Sequence, residues 1–563
     1  MTRLRTLFTA VALLASGVAL ACTNLIVTRG ASTDGSIIVS YAADSHQLYG
    51  ALYKYNAPKK GYPKGSYMPV YDWDSGRYMG QIKQAERTYS TVGNMNEHSL
   101  IITETTFGGR PELEDSTGIM DYGSLIYITL QRAKTAREAI DVIVSLTEEY
   151  GYASSGESFT IADANEVWIM ELIGKGCKLN ERGDNINKGI VYVARRVPDG
   201  YVSAHANHSR ISTFPKNDPE NCVYADDVIS FAREAGLYEG SDDDFSFCDT
   251  YAPADFMALR GCEARVWSFF RMVADGMDQY LDYAMGHNPK NRMPLWVKPR
   301  AKVSAKVVFD AMRDHYEGTP MDMTKDVGAG GNGLPYRWRP MSWEVDGVEY
   351  TNERAIATQQ TGFWLVAQAR NWLPNPIGGV LWFGVDDAST SALTPIYCST
   401  SEVPECFAEG NGSMMEYSPT SAFWLFNRVS NFAYLRYNMI GAEVRGKVDA
   451  WENARLAELA NIDAQAVALY KKSPKKAQEF VTRYSIEKAQ KLFAEWSALD
   501  QYLLVKYIDG NVKRQNEDGS FKDNGNGRSI PEMPMFPGYD EKWKRAVAED
   551  AGETLKVIKQ NTL

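Results

Sequence analysis

The chain has 563 residues, of which 44% are hydrophobic and 12% aromatic, with a formal net charge of -11. This composition suffices to bury a large core, so the length does not force a small binding or structural role. Because acidic residues outnumber basic ones, we expect no basic face that could neutralise phosphates, which argues against a nucleic-acid partner.

The amino terminus has the pattern of a secretory signal. Two arginines are followed by an apolar stretch from about residue 7 to residue 20, and Ala19-Leu20-Ala21 precedes Cys22. A charged start, a short apolar region and an A-x-A site are typical of a signal peptide, whereas a membrane span needs roughly 20 apolar residues. We therefore expect a signal peptide at residues 1–21, no membrane span, and a bacterial protein that is exported to the periplasm or secreted.

Strand patterns and helix patterns alternate along the next part of the chain. A helix is predicted over Ser124 to Tyr150 from its apolar spacing. The pattern lacks a regular β-α-β rhythm and so favours a layered α+β core. Strands are predicted at Leu25 to Thr28, Ser36 to Ser40, Ser99 to Thr103, Ser158 to Ile161, Val167 to Leu172, Ile190 to Val193 and Gly379 to Val385.

The glycine-rich segment 326–340 lacks the lysine-serine pair of a P-loop and is interpreted as an ordered loop, with a substrate-contacting role as the alternative. After about residue 440 the composition of the chain changes. A helix is predicted over Glu443 to Lys472, and Ser473-Pro474 supplies an N-cap and a first-turn proline for a second helix. A polar loop then precedes a last short helix. These features divide the chain into a main domain at 22–440 and a helical extension at 441–563.

The seven cysteines allow two interpretations. Without Cys22 they are an even number, which suits disulfides in an oxidising compartment, and the spacing favours the pairs Cys398 with Cys406 and Cys248 with Cys262. Buried free thiols are the alternative. Because no Cys-x-x-Cys or paired Cys/His spacing occurs, we expect no zinc or other metal.

Cys22 is the residue with the most distinctive position. It could be the acylated cysteine of a lipoprotein, a disulfide partner, or a nucleophile with its own free α-amine. A lipoprotein signal normally has leucine or a similar residue where this chain has Ala19. An α-amine has a pKa near neutrality, about 7.7 to 8.0, so it can take a proton from its own thiol. A terminal cysteine thus combines nucleophile and base.

Several segments, in order, resemble the dipeptidase A type cysteine dipeptidases. These enzymes belong to the N-terminal-nucleophile hydrolase superfamily, with penicillin V acylase and bile salt hydrolase. The resemblance extends over most of the chain. It is carried by CTNLIVTRGASTDGSIIVSYAADSH from Cys22, GNMNEHSLIITETTFGG at 93–109, GESFTIADANEVWIMEL at 156–172, SAHANHSRI at 203–211, AGGNGLPYRWRP at 329–340 and QQTGFWLVAQARNWLPNPIGGVLWFGVDDAS at 359–389.

The resemblance implies roles for four residues. Cys22 matches the nucleophile, and Asp44 matches an aspartate that orients the amine or thiol. Asn207 matches the asparagine that donates to the oxyanion, and Arg265 matches an arginine that favours the thiolate. Without the resemblance, Asp44 could be a turn residue, Asn207 a loop amide and Arg265 a salt-bridge residue.

This chain departs from the acylases at two positions. Tyr41 stands where they have an arginine, three residues before the aspartate, and Thr106 lies near their second oxyanion asparagine. We expect both side chains to line the substrate site together with Glu104, whose carboxylate is a candidate for binding a substrate ammonium; Glu97 is a second candidate. Histidines 98, 205 and 208 are interpreted as neutral structural residues, because a terminal amine replaces a histidine base.

The resemblance implies a four-layer αββα sandwich with the carboxyl-terminal helices packed outside. It implies an exported dipeptidase that hydrolyses dipeptides through a thioester on Cys22, without a cofactor. An acylase of the same superfamily and a lipid-anchored binding protein remain alternatives. The sequence leaves homo-oligomerisation open.

Overall fold

The structure is a computed structural model that describes residues 22–558, so the predicted signal peptide lies outside the described residues. Within that part the chain forms nineteen strands. They are β1 (Asn24–Val27), β2 (Ile37–Asp44), β3 (Lys54–Tyr55), β4 (Tyr67–Tyr71), β5 (Tyr78–Lys83), β6 (Thr91–Val92), β7 (Met95–Asn96), β8 (Ile101–Gly108), β9 (Gly156–Ala162), β10 (Val167–Gly174), β11 (Ile190–Arg196), β12 (Val202–His205), β13 (Cys222–Tyr224), β14 (Trp296–Val297), β15 (Ser342–Val345), β16 (Val348–Thr351), β17 (Thr361–Ala369), β18 (Gly379–Val385) and β19 (Thr394–Tyr397).

Twelve α-helices accompany the strands in the same described part. They are α1 (Tyr122–Arg132), α2 (Ala136–Tyr150), α3 (Val228–Glu234), α4 (Phe247–Tyr251), α5 (Ala264–Val273), α6 (Leu281–Ala284), α7 (Ala305–Ala311), α8 (Asn375–Gly378), α9 (Ala422–Leu435), α10 (Tyr437–Tyr470), α11 (Pro474–Tyr507) and α12 (Glu541–Ala551). A π-helical segment, Ala258–Glu263, leads directly into α5. Separate helices and antiparallel sheets confirm the α+β prediction.

The first large sheet has seven strands in the order β14-β12-β1-β2-β17-β18-β19. β1 lies in its interior and pairs with β12 through Asn24 and His205, and with β2 through Ile26 and Val39. β2 runs further than the predicted strand, up to Asp44, because all eight of its residues are buried and it pairs along its length with β17. Cys22 therefore stands at the start of an interior strand.

The second large sheet has eight strands in the order β13-β11-β10-β9-β8-β7-β6-β3. β8 and β9 pair from Ile101 opposite Ala162 as far as Gly108 opposite Gly156. The strand that we predicted at Ser99 to Thr103 begins at Ile101 in the structure, because Ser99 has a left-handed backbone with φ +63° and belongs to the preceding turn. Every strand predicted from the sequence is present in one of the two sheets.

Alternate residues of the strands enter different hydrophobic cores, as the two-residue period of a strand requires. In β1, Ile26 joins a core that also receives Ile101 of β8, so this core contains one face of each large sheet. Leu25 and Val27 point the other way, into a core that includes residues of α5 and α7. Ile102 of β8 enters a third core, with α1 and α2.

The predicted helix over Ser124 to Tyr150 is wrong in one respect, because the segment forms two helices. α1 ends at Arg132, and the next residue, Ala133, has extended backbone angles. Thr135 then caps α2 by accepting a hydrogen bond from the backbone N–H of Glu138. The sequence Thr-x-x-Glu is a capping box, so a new helix start is favoured over continuation.

The two long carboxyl-terminal helices confirm their prediction. α10 and α11 each have 34 residues, and the side chain of Ser473 caps α11 as expected. Both helices contact β19, and α11 also contacts α9. The glycine-rich segment contains a short 3-10 helix, Val327–Asn332, within an ordered stretch.

All seven cysteines are free thiols, so neither disulfide pair that we considered forms in this structure. Five of the seven are buried, which agrees with the alternative interpretation. No helix between residues 22 and 558 has both the length and the apolar character that a membrane crossing requires.

Candidate active site

Cys22 lies in the core shared by the two large sheets, and only 5% of it is exposed. The next residue, Thr23, pairs with Ala42 of β2 through two backbone hydrogen bonds. The thiol of Cys22 lies 3.9 Å from the hydroxyl of Tyr41. In the full-length chain the α-nitrogen of Cys22 is bonded to Ala21, so a free α-amine requires cleavage of that bond.

The surroundings of Cys22 keep its thiol protonated. Burial raises its pKa well above the ordinary value of 9.0, and the carboxyl groups of Glu104 and Asp44 raise it further. A hydrogen bond from the backbone N–H of Asp44 opposes them. A thiol in this state is a poor nucleophile at neutral pH and needs a base that takes its proton.

Asp44 is the last residue of β2 and is fully buried. One carboxylate oxygen accepts a hydrogen bond from Arg354 Nη2 at 2.5 Å, and the other accepts from the Thr361 hydroxyl at 2.6 Å. Burial raises the pKa of Asp44, and Arg354 opposes that change. Arg354 thus supplies a positive charge next to the Asp44 carboxylate. The arginine that we expected for this role from the acylases stands three residues before the aspartate, where this chain has Tyr41.

Arg265 links the start of β1 to the turn after β12. Its guanidinium donates to the backbone carbonyl of Cys22, to the hydroxyl of Thr23 at 2.9 Å and to the side-chain oxygen of Asn207 at 3.0 Å. The π-helical segment before α5 helps to hold it, because Arg265 Nε donates to the carbonyl of Gly261 at 2.9 Å. π-helical turns are frequent at functional sites, where they redirect a side chain.

Asn207 has a left-handed backbone with φ +59°, directly after β12. Because Arg265 only donates, it must face the amide oxygen, and this fixes the orientation of the Asn207 amide. The amide nitrogen donates to the carbonyl of Thr106 at 2.7 Å. An amide nitrogen carries two hydrogens, so one N–H remains for a further acceptor.

Tyr41, Glu104 and Thr106 form the opposite side of the cluster. The hydroxyl of Tyr41 donates a short hydrogen bond to Glu104. Thr106 donates from its hydroxyl to Glu157 at 2.9 Å. All seven predicted site residues therefore meet in one cluster, although their chemical roles stay predictions.

The cluster adjoins a cavity of about 420 Å³. Neither Cys22 nor Glu104 lines this cavity, but Asn207, Arg265 and Arg354 do. Arg265 contacts Cys22 and Asn207, and Arg354 contacts Asp44. Arg110 and Arg339 also line the cavity, as do the acidic residues Glu112 and Asp255, so the lining contains more arginines than carboxylates. Arg339 donates to Gln360 at 2.8 Å and forms no ion pair with any residue between 22 and 558.

The histidines have structural positions. His205 is fully buried between the hydroxyls of Thr105 and Thr160, at 2.6 and 2.7 Å, and burial lowers its pKa to about 3. Burial also lowers the pKa values of His208 and His98. Glu97, the other carboxylate we considered, accepts from the backbone N–H of Ser90. Across the described residues no group of three or more His, Cys, Asp or Glu side chains is arranged to hold a metal ion.

Sequence reasoning missed two charged residues of the cluster. Arg354 is 310 positions from Asp44 in the chain, and no local pattern connects them. Glu157 stands in the quoted segment at 156–172, but there it looks like an ordinary polar residue of a strand. Its position opposite Thr106 in the β8/β9 pairing could have indicated it, once that register was known.

Comparison with known proteins gives a consistent result. The model of peptidase family C69 matches residues 21–449. A probable dipeptidase of Salmonella dublin is 25% identical over 412 residues, which cover 69% of this chain and 83% of that protein. A probable dipeptidase B of Streptococcus pyogenes serotype M1 is 22% identical over 516 residues, with 89% and 95% covered. Dipeptidase A of Lactobacillus helveticus is 22% identical over 461 residues, with 78% and 87% covered.

Proposed function

This chain belongs to peptidase family C69 and is a peptidase, and from this premise we propose that it is an exported dipeptidase with Cys22 as its N-terminal nucleophile. The observation that carries the proposal is the contact set of Arg265, which connects Cys22 to Asn207 beside a cavity. The names of the relatives, all dipeptidases, support small peptides as substrates.

The mechanism begins with removal of residues 1–21. Cleavage after Ala21 converts the backbone nitrogen of Cys22 into a free amine beside its own thiol. Because the pKa of the buried thiol is raised, the amine is needed as the base that generates the thiolate. Asp44, held by Arg354, would orient this amine.

The thiolate then attacks the carbonyl carbon of the peptide bond, and the carbonyl oxygen becomes an oxyanion. The remaining N–H of Asn207 and a backbone N–H would donate to it. Collapse of the tetrahedral intermediate breaks the C–N bond, and the proton on the Cys22 amine passes to the departing amine. Water then hydrolyses the thioester by the same steps.

The arginines of the cavity support a substrate with a free carboxylate. Arg265 and Arg354 are engaged by Cys22 and Asp44, and Arg110 donates to the carbonyl of Thr250 at 2.7 Å. Arg339 forms no ion pair with an acidic residue among residues 22–558, and a guanidinium binds a carboxylate through two parallel hydrogen bonds. A dipeptide places its carboxylate one residue from the bond that is cleaved, so Arg339 would favour dipeptides over longer peptides.

The finer features of the fold belong to the same proposal. The three cores support a four-layer αββα arrangement, in which the two large sheets face each other and helices cover their outer faces. We assign residues 22–440 to the catalytic domain and 441–563 to a helical extension. Export to the periplasm or medium follows from the signal pattern.

A substrate panel tests this function. Mature enzyme with a free N-terminal Cys22 is given dipeptides, tripeptides, dipeptide amides and N-acyl amino acids, and Cys22→Ser is the matched control. We expect hydrolysis of dipeptides that disappears in the variant. Hydrolysis of N-acyl amino acids alone would indicate the acylase alternative. No hydrolysis of any of these substrates, together with an acylated Cys22 in the protein purified from its exporting host, would indicate the lipid-anchored binding protein.

A further inference from the structure

Two carboxyl groups beside Cys22 are buried together. Glu104 and Glu157 are 1% and 0% exposed and come from neighbouring strands, β8 and β9. Glu104 accepts a hydrogen bond from Tyr41, and Glu157 accepts one from Thr106. The charge of Glu104 acts on both Glu157 and the Cys22 thiol. The other oxygens, Oε2 of Glu104 and Oε1 of Glu157, have no hydrogen-bond partner within the described residues.

No positive charge of the described residues compensates this pair. Neither glutamate forms an ion pair with a lysine, arginine or histidine between residues 22 and 558. The nearby Asp74, which accepts from Tyr122 at 2.8 Å, adds a third carboxylate that acts on both. By contrast, the buried Glu263 and Glu452 each have an arginine partner. Uncompensated burial of carboxyl groups costs stability, so packing does not explain the pair.

The two carboxyl groups disfavour joint ionisation. Burial raises the pKa values of both Glu104 and Glu157, and the charge of Glu104 raises that of Glu157 further. When two carboxyl groups share a site, one of them stays protonated and the pair carries a single negative charge. One net negative charge is the complement of one ammonium group.

The distance from the nucleophile suits the amino end of a substrate. In a peptide the α-nitrogen lies about 2.5 Å from the carbonyl carbon of its own residue, given the standard bond lengths. Tyr41 lies 3.9 Å from Cys22 Sγ and donates to Glu104. A carbonyl carbon in contact with the thiol therefore has its α-ammonium within reach of the Glu104 carboxylate.

We propose that Glu104 and Glu157, with Tyr41, form the receptor for the α-ammonium group of the substrate and so restrict this enzyme to peptides with a free amino terminus. The proposal rests on the proposed function, because it assigns the amino end of the dipeptide that Cys22 attacks. It makes the two glutamates determinants of specificity. With Arg339 at the carboxylate end, the site would bind both charged termini of a dipeptide.

The test compares a free dipeptide with its N-acetyl derivative in four forms of the mature enzyme. These are wild type, Glu104→Gln, Glu157→Gln and the control Asp115→Asn. Asp115 is also a buried carboxylate with an unpartnered oxygen and no ion pair among the described residues, but its hydrogen bonds go to Thr117 and not to the residues around Cys22. We expect wild type and the control to prefer the free dipeptide by at least about a hundredfold in kcat/KM.

In Glu104→Gln and Glu157→Gln we expect this preference to fall at least about tenfold, mainly through a higher KM for the free dipeptide. Hydrolysis of the N-acetyl derivative should stay constant or improve. Glu157→Gln should unfold at or above the wild-type temperature, because the new amide can donate to Glu104 and one uncompensated carboxyl group is gone.

Two results would overturn the proposal. One is a wild type that hydrolyses both substrates equally well. The other is a pair of variants that lose kcat equally on both substrates, since that would show that the glutamates hold the amine of Cys22 itself. A wild type that hydrolyses no dipeptide would instead refute the proposed function, so the two failures are distinguishable.

Discussion

Arg265 donates a hydrogen bond to the side-chain oxygen of Asn207 at 3.0 Å, and this contact decides which atoms of Asn207 face the substrate. The same guanidinium holds the carbonyl of Cys22. We expected Arg265 to stabilise the thiolate. Its contacts instead fix the backbone of Cys22 and the side-chain amide of Asn207 relative to each other.

Asn207→Gly is expected to lower kcat by about a hundredfold to a thousandfold. One oxyanion donor contributes about 3 to 4 kcal/mol to the barrier, and glycine tolerates the left-handed backbone at this position. The melting temperature should change little in comparison. Asn207→Ala is the control for backbone strain, because it deletes the same donor but disfavours φ +59°. Unchanged kcat in the glycine variant would exclude Asn207 as a donor.

Arg339→Met is expected to raise the KM for dipeptides about tenfold or more and to leave the hydrolysis of dipeptide amides unchanged. The side chain forms no ion pair with an acidic residue within residues 22–558, so its removal should not unfold the protein. Arg339→Lys should restore part of the affinity, because it keeps the charge but loses the planar fork. An equal effect on acids and amides would show that Arg339 does not bind the carboxylate.

The activity of the mature enzyme is expected to fall as the pH drops below about 8. The base is the α-amine of Cys22, whose ordinary pKa is about 7.7 to 8.0, and a protonated amine cannot accept the thiol proton. Since the thiol pKa is raised well above 9.0, thiol ionisation cannot produce this acid limb. The measurement is kcat/KM from pH 5 to 10. A rise that begins only above pH 9 would indicate direct ionisation of the thiol.

His205 is expected to make the fold sensitive to acid. Its pKa is lowered from 6.5 to about 3, so the folded state keeps the ring neutral where the unfolded chain binds a proton. His205 does not lower the free energy of unfolding above pH 6.5. As the pH falls further, protonation of the unfolded chain lowers this free energy, by about 5 kcal/mol near pH 3. In His205→Gln the free energy of unfolding should depend less on pH between 6.5 and 4. Parallel pH curves for the two proteins would contradict this assignment.

Seven of the nineteen strands in the described part of the chain, the two long helices and the seven clustered residues could be predicted because each depends on a local pattern or on an ordered resemblance. The break between α1 and α2 was missed, although Thr135 and Glu138 form a capping box, because the apolar spacing continues through it. Arg354 could not be predicted in the same way. Its pairing with Asp44 depends on how two distant segments meet, and the sequence near Arg354 has no periodicity that fixes its direction.

The burial of Glu104 and Glu157 also depends on tertiary structure. Strand alternation alone suggests that a glutamate faces solvent, and only the packing of the second sheet against the first buries both carboxyl groups and brings Glu104 close to Cys22. Such local conflicts between residue type and environment are expected at functional sites, because a sequence selected for stability alone would avoid them.

The most direct test of the account is the amino-terminal sequence and intact mass of the exported protein, measured together with dipeptide hydrolysis by wild type and Cys22→Ser. We predict a chain that begins with an unmodified Cys22 and an activity that drops by at least about a thousandfold in the variant while the fold is retained. A blocked or acylated Cys22, or an activity that the substitution leaves unchanged, would contradict it.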